Sequence, residues 1–362
     1  MKNIFITGFP GLLASSFLKA LFRSRSEEMT VFALVEKRFL SRAKERVKSW
    51  EENHTIPLES VKLLKGDITL ESLFSESDET HFSKLENEIH EIYHFAAIYD
   101  LSVSKSLSDK VNRMGTIHLI KFAESCKNLH RFHYVSTCYV SGRYEGFFTE
   151  SDLDVGQKFN NHYEKGKYLA EKAVQDAADG GLPTSIYRPG IVVGDQKTGE
   201  TEKFDGPYFI IQLLLRQSSF AFLPRIGRPD KVELNIVPRD FVIDAITALS
   251  SLKEEETKTV YQLCDPHPVS VQVFLDLLEK LLQKRILQIP ASRYVTRTLV
   301  KKTPGLESIL KLPAESIDYF SHPTLYRCER TSTTLEKFNI KCPRVPLYIE
   351  NLVSFTKKST ED

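Results

Sequence analysis

A glycine-bearing turn between a short apolar run and an amphipathic stretch constrains this chain more than any other segment. Residues 3–7 read as a strand, Thr7-Gly8-Phe9-Pro10-Gly11 as a tight turn, and residues 12–22 as a helix with apolar positions at helical spacing. The alternation then repeats. Further strands are expected at 30–35, 61–64, 91–96, 131–136 and 184–187, with helices at 39–50, 111–126 and 162–179 between them. Such an order calls for an α/β fold, a doubly wound parallel sheet covered by helices on both faces. The ligand crevice of such a sheet lies at the carboxyl ends of its strands.

After Pro189 the texture changes. Residues 190–230 are irregular and rich in Gly, Pro and Phe, with one apolar helix expected at 207–216. A strand at 233–237, a helix at 240–252 and a strand at 259–263 read as a return to the main sheet. Helical patterns at 271–283 and near the C-terminus suggest a smaller substrate lobe. The expected division is therefore 1–195, with 233–263, as a dinucleotide-binding Rossmann domain, and 196–232 with 264–356 as the lobe.

The turn fits a dinucleotide. Gly8 permits the tight bend, Gly11 lets backbone approach a pyrophosphate on the helix N-terminus, and Ala14 takes the third small position. A turn without a ligand is the simpler alternative. At the end of the second strand, a carboxylate accepts from a ribose 2′-hydroxyl and a cation pairs with a 2′-phosphate. This chain offers both, Glu36 and then Lys37 and Arg38, so NADP and NAD both stay open there. Asp67 follows the third strand, where it would meet the adenine or cap a helix. Ala96 and Ala97 leave room for the cofactor's backbone, while His94 before them reads as a packed core histidine. Asn112 opens a helix, as a cap or as a bridge to a proton-relay water.

Chemistry is expected from Thr137, Tyr163 and Lys167. Tyr163 stands four residues before Lys167 and shares its helix face, one turn away. An ammonium beside a phenol favours the phenolate, so the tyrosine pKa is expected to fall towards neutrality. Thr137, just past the fifth strand, could hold a substrate oxygen. Pro189 would pin the chain beside a nicotinamide ring.

Composition excludes several classes. With 49 basic and 48 acidic side chains the charge is nearly balanced, and no nucleic-acid-binding stripe is announced. Five cysteines without C-x-x-C spacing read as reduced thiols in a cytoplasmic protein. The histidines are scattered without metal-ligand spacing, and no G-x-S-x-G surrounds Ser136. The longest apolar run, 209–215, is too short to span a bilayer, and the N-terminus lacks a signal-peptide cleavage pattern.

The motifs Thr7-Gly8-Phe9-Pro10-Gly11, Gly66-Asp67-Ile68-Thr69, His94-Phe95-Ala96-Ala97, Tyr134-Val135-Ser136-Thr137, Tyr163-Glu164-Lys165-Gly166-Lys167 and Tyr187-Arg188-Pro189-Gly190 resemble those of an extended short-chain dehydrogenase/reductase. The resemblance covers nearly the whole chain, within the NAD(P)-dependent epimerase/dehydratase superfamily. It is most similar to the branch of fatty acyl-CoA reductases and thioester-reductase domains. That resemblance implies Thr137, Tyr163 and Lys167 as a catalytic triad, Lys167 also holding the nicotinamide ribose, and NADP as the usual cofactor. Cofactor contacts are expected from Thr7, Gly8, Pro10, Gly11, Leu12, Glu36, Lys37, Arg38, Asp67, Ile68, Ala96, Ala97, Tyr163, Lys167 and Pro189. Two positions depart from the branch: Glu36 replaces its usual arginine, and Gly166 stands where Ser or Thr is usual.

The expected activity is NAD(P)H-dependent reduction of an acyl thioester or aldehyde. Its partner would be a small-molecule substrate such as an acyl-CoA or an acyl-carrier thioester, with the oligomeric state open. The apolar residues 208–215 could line an acyl slot, or simply form lobe core. A nucleotide-sugar epimerase or dehydratase is the alternative, although Cys138 and Tyr139 follow Thr137 where dehydratases carry acids. A non-catalytic NAD(P)-binding regulator is the second alternative.

Overall fold

The computed structural model describes residues 2–74, 85–253, 256–302 and 314–361. Seven strands form one sheet: β1 (Lys2–Thr7), β2 (Met29–Val35), β3 (Val61–Lys65), β4 (Glu91–His94), β5 (Arg131–Val135), β6 (Thr184–Pro189) and β7 (Lys258–Leu263). Their spatial order is β7-β6-β5-β4-β1-β2-β3. Pairing is parallel, with Ile4 opposite Val31 and Thr7 opposite His94. The order reverses between β1 and β4, so the crevice of a doubly wound sheet opens there.

Why these runs are strands follows from their burial. β1, β5 and β6 are buried along nearly every residue, as strands covered on both faces must be, and the polar members of β5 and β6, Arg131, His133, Thr184, Ser185 and Arg188, are buried with the rest. Edge strand β3 alternates more, and is polar at Lys62 and Lys65. The covering helices are α1 (Leu12–Ser24), α2 (Leu40–Glu52), α3 (Gly115–Ser125), α4 (His162–Asp179) and α5 (Arg239–Leu249). Leu119 and Phe122 of α3 and Ala170 and Val174 of α4 join Phe5, Phe132 and Ile186 in one core cluster. On α1, Phe17 packs against Tyr93 at 4.6 Å between ring centroids.

The chain divides into two compact units. The first comprises residues 1–140, 162–188 and 243–261; the second comprises 141–161, 189–242 and 262–362. The second thus also takes in residues 141–161, 189–195, 233–242 and 262–263, which the sequence pattern assigns to the dinucleotide domain. Within the second unit, short strand pairs surround a core that includes Tyr208, Ile211, Leu214 and Phe274. Most of the 208–215 run is therefore core, with Ile210 and Leu213 facing a small apolar cavity beside Leu223 and Val271.

Three expectations shift. The strand expected at 233–237 is two strands, Glu233–Leu234 and Ile236–Pro238, each pairing elsewhere. It breaks at Asn235, whose side chain donates to Asp265 O at 3.0 Å and accepts from Asp265 N at 2.9 Å. The helix expected from 111 begins at Lys105, capped by the Ser104 hydroxyl, and passes through a π turn, Asp109–Met114, before α3. β4 stops at His94, two residues short of the expected end, as the chain turns across the end of β1.

Candidate active site

The glycine turn carries β1 into α1. Gly8 has φ +91°, and a Cβ there would lie 2.8 Å from the backbone of Phe95 and Ala96. Only glycine fits both the conformation and the approach of the β4 end. Gly11 N donates to Gly8 O at 2.8 Å, closing the turn, and Gly11 sits at the N-cap of α1. No side chain caps this helix, and no acidic residue occupies its first turn. Its leading amides beside Leu12 therefore face out as anion donors, which fits a pyrophosphate. Pro10 is held from outside by Arg46, whose Nη1 donates to Pro10 O and to Ser15 Oγ, both at 2.9 Å.

The Thr7 side chain ties two strand ends together. Its hydroxyl hydrogen-bonds His94 Nδ1 at 2.7 Å and accepts from Ala96 N at 3.3 Å. It thus pins β1 to β4. His94 reaches Thr116 through its other nitrogen at 3.0 Å, and burial lowers its pKa to about 3. A buried neutral imidazole between two hydroxyls is a packed histidine, as the sequence suggested.

Thr137, Tyr163 and Lys167 are brought together. Thr137 is buried just beyond β5, close enough for its side chain to oppose the rise of the Tyr163 pKa. Tyr163 and Lys167 lie on one face of α4, both buried. Lys167 Nζ donates to Val135 O at 2.8 Å and lies 4.3 Å from the centroid of the Tyr134 ring. Burial lowers the Lys167 pKa to about 7, with the Glu171 carboxylate opposing. The Tyr163 phenol behaves contrary to the sequence expectation. Burial pushes its pKa up, Tyr99 and Glu164 push it further, and the Thr137 side chain opposes them. The lysine does not pull the phenol down, because its ammonium is directed to the Val135 carbonyl and the Tyr134 ring. Tyr99 stands edge-on to Tyr163 with 5.1 Å between centroids.

Beneath this trio lies a polar network that no motif announced. Arg188, at the end of β6, donates to Glu171 Oε1 from Nη2 at 2.6 Å and from Nε at 3.0 Å, both side chains being 0% exposed. Ser136 Oγ donates to Glu171 Oε2 at 2.5 Å, and Gln175 Nε2 to Oε1 at 3.0 Å. The Cys138 thiol closes the circle on Arg188 O at 3.1 Å. Every element that carries the trio is thereby tied to Glu171. Its signal in the sequence was a carboxylate four residues after Lys167, on a stripe otherwise buried.

Gly166 also has a local cause. A Cβ there would collide with Ser108 Oγ, which donates to His162 O at 2.7 Å. That carbonyl lies one turn before residue 166, where a helical serine at 166 would itself bond.

The remaining positions scatter around the strand ends. Asp67 Oδ1 accepts from Thr69 N at 2.8 Å, a local turn rather than a helix cap. Ile68 is buried, and its carbonyl meets His118 Nδ1 at 2.9 Å. Ala96 is half-buried and Ala97 exposed. Asn112 neither caps a helix nor stands free: its side chain accepts from Ile98 N at 2.8 Å and donates to Ile98 O at 3.1 Å. Pro189 is the buried last residue of β6. Glu36 and Arg38 form an ion pair at the end of β2, with Lys37 exposed between them.

Among the described residues, no cluster of His, Cys, Asp or Glu could hold a metal ion, and no helix is long and apolar enough to cross a membrane. The five cysteines are free thiols, four of them buried.

Comparison with known proteins agrees with this architecture. The terminal R domain from the myxalamid PKS-NRPS biosynthetic pathway superposes with a TM-score of 0.79 at 22% identity, over 99% of this chain and 91% of that one. Aldehyde reductase lnbA of Aspergillus flavus is 24% identical over 342 residues, 89% of this chain. L-2-aminoadipate reductase of Schizosaccharomyces pombe is 26% identical over 268 residues, 68% of this chain. The chain spans only 32% of the first and 18% of the second. Residues 6–246 match the NAD-binding family described as male sterility protein, and the chain belongs to that family, within the extended short-chain dehydrogenases/reductases.

Proposed function

We propose that this chain is a reductase that uses NADPH, in preference to NADH, to reduce an acyl thioester or an aldehyde. The observation that carries the reading is the buried Thr137 side chain acting on the Tyr163 phenol, with Lys167 one turn along the same helix face. Its support is the family and the likeness to proteins named as aldehyde and aminoadipate reductases.

The glycine turn, the uncapped start of α1, Asp67, the Ala96-Ala97 segment and Pro189 would hold the cofactor, which supplies the hydride. Thr137 and Tyr163 donate hydrogen bonds to the substrate's carbonyl oxygen and stabilise the charge that develops there. Because burial keeps Tyr163 protonated, it serves as the proton donor to that oxygen. Lys167, one turn along the same helix face, would supply a donor for the ribose. With a thioester, the acyl carbon gains hydrogen, the carbon–sulfur bond breaks and a free thiol leaves with a proton, giving the aldehyde. The free thiols support a cytoplasmic setting.

The test is product analysis. Incubation with a long-chain acyl-CoA and NADPH should yield aldehyde and free CoA in step with NADPH loss. The epimerase alternative would instead show NAD released from the denatured protein and no aldehyde.

A further inference from the structure

The strands Phe220–Ile226 and Arg285–Ala291 pair in parallel as a two-stranded sheet of the second unit, with Phe222 opposite Leu287 and Pro224 opposite Ile289. Residues paired in this way share a face, and the faces alternate along each strand. One face, with Ala221, Leu223 and Ile286, packs on the unit's core. The other carries Phe220, Phe222, Leu287 and Ile289, which are 57%, 52%, 37% and 55% exposed. Large apolar side chains gathered in water on one face are the mark of a binding surface. Arg285, opposite Phe220, shares this face, and neither strand contains an acidic residue.

The charge around this face is one-sided. The whole chain is balanced at 49 basic and 48 acidic side chains, yet residues 216–231 and 284–302 carry ten Lys or Arg, four and six, against one acid, Asp230. Several of these cations are engaged. Asp230 pairs with Arg228, Asp318 pairs with Arg293 and Arg297, and Lys284 Nζ donates to the carbonyls of Leu214 and Leu215. Arg216, Arg225, Lys231 and Arg285 stand exposed. The Glu279 carboxylate beside the ribbon accepts from Ile286 N at 2.8 Å.

We infer that this face seats on an anionic lipid surface. Phe222 and Ile289 enter the boundary of the acyl chains, while Arg285 and Arg225 stay at the level of the phosphates. That layering, apolar groups inward and cations at the headgroups, is what holds a protein in the plane of an interface. A protein partner fits the face less well. Protein interfaces carry about one hydrogen bond per 100–200 Å², and the middle of this face presents only Phe, Leu and Ile side chains. The inference stands apart from the reductase reading, and its test needs no turnover.

The test is sedimentation of the purified full chain with vesicles of phosphatidylglycerol and, separately, of phosphatidylcholine. The wild type should pellet with the anionic vesicles and stay in solution with the neutral ones. Raising NaCl from about 0.05 M to about 0.5 M should release most of it, since salt screens the cationic share of the contact. Phe222→Ser/Ile289→Ser should lower the partition coefficient by about tenfold or more, the scale of two apolar side chains kept in water. Arg225→Gln/Arg285→Gln should lower it by roughly tenfold, the scale of two cations near such a surface. The arginine variant reads the contact without touching the apolar side chains, and its urea midpoint should match the wild type. The inference fails if the wild type stays in solution with phosphatidylglycerol at low salt. It fails equally if either variant pellets as well as the wild type. A dimer in solution that Phe222→Ser/Ile289→Ser splits would give the face to a second copy instead. An acidic acyl-carrier protein bound by the wild type and not by that variant, with no vesicle binding, would give it to a protein partner.

Discussion

Two carboxylate–guanidinium pairs stand at the carboxyl ends of strands in the first unit, and burial makes them different devices. Glu171 and Arg188, at β6, are 0% exposed and saturated by Ser136 and Gln175. Glu36 and Arg38, at β2, face solvent. In the buried pair no lone pair is left for a ligand, and the pair fixes where Ser136, α4 and the β6 end sit. The exposed pair contributes little to stability and can trade partners. The same chemistry is thus a fastener at one strand end and an exposed, exchangeable pair at the other. Burial decides which.

The sharpest way to break that contrast is to remove one member of each pair. Glu171→Ala leaves Arg188 buried and unpaired, and should cost about 3–5 kcal/mol of unfolding free energy. Glu36→Ala should cost at most about 1 kcal/mol, as exposed pairs do. Urea unfolding of both variants measures the gap; equal losses would show that burial is not what separates the pairs.

A smaller effect sharpens the account of α4. Gly166→Ser should overpack against Ser108 and destabilise by roughly 1–3 kcal/mol. The double variant Gly166→Ser/Ser108→Ala should recover most of that loss, because the new hydroxyl can reach the His162 carbonyl that Ser108 now serves. A double variant no better than the single one would mean that the collision with Ser108 is not the reason for glycine.

The pH dependence of Lys167 gives a third comparison, between a buried cation without a full partner and the paired Arg188. The folded pKa of Lys167, about 7, lies below its ordinary value of 10.5. Between those values the unfolded chain binds the extra proton, so this group makes stability rise with pH. The stability of Lys167→Met relative to wild type should therefore fall as pH is raised from 7 to 10, by at most about 1.4 kcal/mol per pH unit. Chemical denaturation across that range reads the slope. A flat difference would contradict the burial argument.

How far the site could be read from sequence depended on whether its signals were local. Gly8, Gly11, Tyr163 and Lys167 lie at fixed short spacings, and the alternation of strands and helices put them at the carboxyl ends or just beyond. Glu171 was within reach of the same reasoning, as a charge on a buried helix stripe, but its partner Arg188 is 17 positions on, in another element. Ser108 stands 54 positions before the carbonyl that it bonds, and no local pattern marks it. The split at Asn235 depends on Asp265, 30 residues away. The tyrosine pKa was misjudged for a different reason. Spacing brings the lysine near the phenol, but only the packed structure shows where the ammonium points and how strongly burial opposes ionisation.

The most direct test of the central claim is single-turnover oxidation of NADPH with a long-chain acyl-CoA, in wild type and Tyr163→Phe, with NADPH affinity measured in both. The account expects rapid oxidation by the wild type, with one aldehyde formed per NADPH. It expects the rate in the variant to fall by about 10²–10⁴-fold, the usual worth of a positioned proton donor, with cofactor affinity retained. Equal rates in the two proteins would contradict the assignment of Tyr163 as the group that gives the proton.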